Sequence, residues 1–112
     1  MPVADVTHEQ LRQIVIVSAQ DDRQVRAQAI LDCRAADVHR VADLDLYFVR
    51  LQSPVVEVLR RNQHVLQLDL DNAQPVNDQY YVVASNVVLH IVNEARAILG
   101  RPNRPTLMDD DD

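Results

Sequence analysis

From Asn77 to Leu99 the chain carries apolar residues on nearly every side of a helix, and this one segment limits what the rest can become. Asn77 or Asp78 supplies an N-cap. Leu99-Gly100-Arg101-Pro102 supplies a stop, because Gly takes the left-handed conformation after a helix and Pro cannot continue one. At about 100° per residue, Tyr81, Val83, Val87, Ile91, Ala95 and Ile98 share one broad arc, with Val82 and Leu89 on the opposite side. A helix apolar all round must be covered from two sides. A chain of 112 residues has too few other helices to surround it. The spacing therefore predicts a homo-oligomer, with Tyr81, Val82, Leu89 and Val92 as candidate contact residues between copies.

Helical spacing also fills the first half. Thr7 is a plausible N-cap for a helix through Leu11, Ile14 and Val15 to about Ala19. Asp21 or Asp22 then caps a second helix through Val25, Ile30, Cys33, Val38, Val41, Leu44, Phe48 and Leu51. Some thirty positions at about 1.5 Å each would span roughly 45 Å, so that helix either breaks near Arg34 to Asp37 or packs on a neighbouring chain. Ser53-Pro54 starts a third helix through Val55, Val58, Leu59 and Asn62. Leu66, Leu68 and Leu70 then alternate with polar residues, the period of a strand. The expected fold class is all-α: a three- to four-helix up-and-down bundle with a short β-hairpin or an extended loop around 66–76. Residues 1–100 form one helical domain, and residues 101–112 form a flexible C-terminal tail with an acidic end.

Charge and composition narrow the function classes. The net charge is −6, of which the four Asp of residues 109–112 carry −4, so the remainder is close to neutral. Arg12, Arg23, Arg26, Arg34 and Arg40 are interleaved with acidic residues, and no basic stripe forms for nucleic acid. A ring of subunits would still collect one Arg from each copy. No leader pattern opens the chain, and the run Ile14-Val15-Ile16-Val17 is far too short to span a membrane, so a cytoplasmic protein is expected. A single Gly argues against any phosphate-cradling loop.

Chemistry has few candidates. His39 with Asp43, and His90 with Glu94, are four-residue steps that share a helix face, so two such helices facing each other would hold a metal ion; exposed charge pairing accounts for the same spacing. Cys33 sits between Asp32 and Arg34 with no local base, as expected of a buried structural thiol. Asp43 and Asp45 lie on different sides of a helix and read as solvated surface. A helix-turn-helix over Val25 to Leu46, turning near Cys33 to Ala35, lacks the usual turn Gly. The residues thus predict no enzyme, no cofactor and no metal.

The C-terminal half has a more specific order of features. A helix through Leu44, Tyr47 and Val58 to His64 leads into a short alternating segment, then the polar turn Pro75-Val76-Asn77, then a helix stopping at Leu99-Gly100-Arg101-Pro102-Asn103-Arg104-Pro105-Thr106-Leu107. Residues 40–107 in this way resemble the C-terminal half of one class of small terminase subunits of tailed phages. That class carries Gly in the excursion and Asn-Pro before the last helix, where this chain has Pro75, Val76 and Asn77. The resemblance implies a non-catalytic ring that recognises double-stranded viral DNA and recruits a large packaging ATPase subunit. Two other classes remain open: a small acidic inhibitor or adaptor that engages a basic surface through residues 109–112, and a metal-dependent helical enzyme using His39, Asp43, His90 and Glu94.

Overall fold

A computed structural model describes residues 6–18, 22–41 and 45–103, with backbone alone at 34–36. The expected caps are in place. Thr7 Oγ1 accepts from Gln10 N at 3.1 Å while Gln10 Oε1 accepts from Thr7 N at 2.9 Å, a reciprocal box that opens α1 (His8–Leu11). This helix is one turn long and does not reach Ala19. The β-branched run that follows loses side-chain freedom in a helix. It runs instead as irregular chain, burying Ile14, Ile16 and Val17 and leaving Val15 57% exposed.

Asp22 caps α2 (Arg23–Asp37) by accepting from the amides of Gln24 and Val25. The helix then ends, and Val38 at φ −126° and ψ 116° passes directly into β1 (Val38–Val41). β2 (Leu46–Arg50) follows and pairs with β1 antiparallel, Val38 opposite Val49 and Val41 opposite Leu46. The expected thirty-residue helix is thus a fifteen-residue helix and a hairpin. α2 is unbroken through Cys33, which removes the helix-turn-helix. Val, Tyr and Phe favour the pleated geometry wherever one face is covered, and tertiary packing overrides the weak helical spacing.

Ser53 Oγ accepts from Val56 N at 3.3 Å with Pro54 in the first turn, opening α3 (Pro54–Arg61) at the expected place. α4 (Gln63–Leu66) is one more turn, ended by Gln67 in the left-handed region at φ 58°. The strand expected around 66–76 is absent: a 3-10 turn covers Leu70–Asn72, and Leu66 and Leu70 both enter the core. Asn77 and Asp78 then both adopt positive φ, 54° and 60°, which their short polar side chains tolerate, and they turn the chain into β3 (Tyr80–Ala84). α5 (Ser85–Ile98) begins with no intervening loop. It closes on Gly100 at φ 75°, where Arg101 N bonds Arg96 O at 2.8 Å and Gly100 N bonds Ala97 O at 3.1 Å.

The architecture is therefore mixed: a three-stranded antiparallel sheet in the order β1-β2-β3 with helices gathered on one face, not an all-α helical bundle. Val38, Tyr47, Val49, Tyr81 and Val83 point from the sheet into one core, where α2 packs along α5, and α2, α3 and α5 each touch β2. Of the expected tail, residues 101–103 are exposed and Pro102 O accepts from the buried Arg96 Nε at 2.7 Å; residues 104–112 lie outside the described residues.

Candidate functional site

Alternation along a strand sends every second side chain to the far side of the sheet. With Tyr47, Val49, Tyr81 and Val83 turned inward, the register places three rows on the outer face: Arg50 beside Tyr80, His39 beside Phe48 and Val82, and Val41 beside Leu46 and Ala84. All are half-buried except His39, which is exposed. Among the described residues no helix lies over them. The face is apolar, with its bulk at one end: the rings of Tyr80, Phe48 and His39 crowd the Arg50 end, while Val41, Leu46 and Ala84 form a lower opposite end.

One polar cluster edges the bulky end. Arg50 Nε donates to Asp37 Oδ1 at 3.0 Å, Nη2 donates to the Tyr80 hydroxyl at 2.9 Å, and Nη1 reaches Gln79 Oε1 at 3.5 Å. The guanidinium carbon also stands 5.0 Å from the centre of the Tyr80 ring, a cation–π distance. Tyr80 in turn meets His39 edge-on at 5.8 Å and Phe48 at 5.9 Å. Such a surface offers apolar area, fixed aromatic edges and a charge already matched. It has no nucleophile beside a base.

The residues singled out from sequence part company here. Val82 is on the outer face. Tyr81 is 4% exposed on the inner face, its hydroxyl donating to Leu70 O at 3.0 Å. Val92 is 1% exposed within the core, and Leu89 is half-buried against it. His39 stands on a strand and His90 on α5, in different layers; Glu94 is exposed and Asp43 lies outside the described residues. Among the described residues no group of three His, Cys, Asp or Glu is placed to hold a metal ion.

Asp45 has a task that its spacing hid. Exposed as expected, it also accepts from Ser85 Oγ at 2.6 Å and, through its backbone carbonyl, from Ser85 N at 3.0 Å, tying the β1–β2 connection to the start of α5. Cys33 is buried and donates to Ile30 O at 3.2 Å. Burial, and then the charge of Asp37, push its pKa from 9.0 to about 11. Because the folded value is the higher one, the thiol's contribution to stability is whole below pH 9 and is lost as pH rises towards 11. Iodoacetamide at pH 8 is accordingly expected to leave the folded chain unmodified and to label it quickly in urea; rapid labelling without denaturant would contradict the burial.

An open groove of about 370 Å3 lies between Val15, Val17, Ser18, Arg61 and Asn62. Its amide floor is already engaged, since Asn62 accepts from Val15 N at 2.9 Å and donates to Val15 O at 2.8 Å and Val58 O at 2.7 Å. That pairing holds the N-terminal segment on α3 and has no polar capacity left for a ligand.

Sequence reading missed Asp37, Phe48, Arg50 and Tyr80. The signal for Phe48 was present in the alternation of Leu46-Tyr47-Phe48-Val49, but it was obscured by helical spacing to Leu44 and Leu51. No helix among the described residues is long and apolar enough to cross a membrane. No family model, curated protein or solved structure matches the chain.

Proposed function

We propose that this chain is a non-enzymatic assembly protein that pairs with a second copy of itself through the outer face of its sheet. The observation that carries the reading is that face: six apolar side chains on three strands with no described element over them. A second copy is the occupant its chemistry favours. Arg50 is already paired with Asp37, so the face presents little charge by which to recognise an acidic or basic partner, and two identical faces approach without a like-charge penalty. Its taper is also self-complementary. A twofold axis across the strands sets the bulky Tyr80 end of one copy over the lower Leu46 and Ala84 end of the other.

Size sets the strength. Three strands about 4.8 Å apart and five residues of about 3.4 Å give a footprint of about 250 Å2, well under the roughly 800 Å2 per partner of a standard interface. The pairing is therefore a concentration-dependent equilibrium, not a permanent dimer. The packaging-subunit reading leaned on a helix through Leu44, Tyr47 and Val58 where the chain has β2 and α3, so the function proposed is the general one.

Sedimentation velocity from about 5 to about 500 µM is expected to show a monomer–dimer equilibrium with Kd of order 10–100 µM. Phe48→Asp, which places a charge in the middle row, should hold the chain monomeric throughout that range, and Val82→Asp should do the same. Circular dichroism of both variants checks that the fold survives. A wild-type chain that stays monomeric at the highest concentration overturns the proposal.

A further inference from the structure

We infer that Asp37 is the residue that licenses two copies to meet, by neutralising Arg50 at the edge of the outer face; this rests on the self-association just proposed. Arg50 makes three hydrogen bonds, to Asp37, Gln79 and Tyr80, and only Asp37 brings a negative charge. The two side chains are 35% and 27% exposed, so both still touch water in the single subunit.

In the tapered pairing the Arg50 and Tyr80 row comes to rest over Leu46 and Ala84 of the other copy, and that water is removed. A guanidinium covered by apolar side chains is costly unless an anion goes with it. Asp37 accompanies it, because α2 ends at Asp37 and β1 begins at the next residue, which holds the carboxylate at the level of the sheet. The position is otherwise a poor one for an acid: a carboxylate in the last turn of a helix opposes the helix dipole. The single subunit therefore has little need of that charge, whereas the paired state needs it.

The cost is one of lost hydration, and this decides the test. Asp37→Asn keeps an oxygen to accept from Arg50 Nε but leaves the guanidinium uncompensated. Asp37→Asn with Arg50→Met removes both charges and keeps apolar bulk, a replacement that is commonly neutral or stabilising at a covered site. Sedimentation equilibrium of the wild type, the single variant and the double variant is expected to give a dimer Kd weakened at least about tenfold by Asp37→Asn and returned to about the wild-type value in the double variant. Melting temperatures in dilute solution should be nearly the same for all three. An Asp37→Asn chain that pairs as tightly as wild type, or a double variant as weak as the single one, overturns the inference. Absence of any wild-type association is the separate result that defeats the pairing itself.

Discussion

Asn62→Leu is expected to lower the stability of the folded chain by about 2–4 kcal/mol, although the two side chains are close in volume. Asn62 is 4% exposed where α3 gives way to α4. Its amide bonds both peptide groups of Val15, at 2.9 and 2.8 Å, and takes up Val58 O at 2.7 Å. Leucine refills the space and satisfies none of the three. The Val58 carbonyl loses an acceptor contact in a buried setting, whereas Val15 is exposed enough for water to replace part of what it loses, which limits the penalty. Equilibrium urea unfolding should show a lower midpoint at unchanged slope, and hydrogen exchange should accelerate at the Val15 amide before the sheet amides. A loss below about 0.5 kcal/mol would mean that the N-terminal segment is not held by this residue.

Ile91→Ala carries the other large effect, about 3–5 kcal/mol, seen as a fall in melting temperature of well over 10 °C. Ile91 is fully buried in the middle of α5, the helix that packs along α2. Truncation removes transfer energy and leaves a cavity between two helices joined by little slack. Leu89→Ala, two residues away on the half-buried side, should cost about 1 kcal/mol. Equal losses at the two positions would mean that α5 is rotated from the orientation described.

The contrast between Ile91 and Leu89 also shows how far the residues could be read. The arc through Val83, Val87, Ile91 and Ala95 was legible because α5 is long enough for its period to register. Val82 on the supposed opposite side was misplaced, because Tyr80-Tyr81-Val82-Val83-Ala84 is a strand that continues straight into the helix. Over five residues apolar on both faces, period two and period 3.6 are not separable. The same coincidence lengthened α2, since Val38, Val41, Leu44, Phe48 and Leu51 happen to recur at three and four. The alternating leucines at 66, 68 and 70 erred in the other direction, because a 3-10 turn buried two of them where a strand was expected.

Helix ends were readable in Thr7, Asp22, Ser53-Pro54 and Gly100, for caps act through hydrogen bonds spanning three to five residues and need nothing from the rest of the chain. The sheet, its uncovered face and the meeting of Asp37 with Arg50 came from pairing across a hairpin and across the whole of α3 and α4. Strand preference is weak until a neighbour supplies the ladder and a core covers one side, so those features arose from long-range packing and had no local signature.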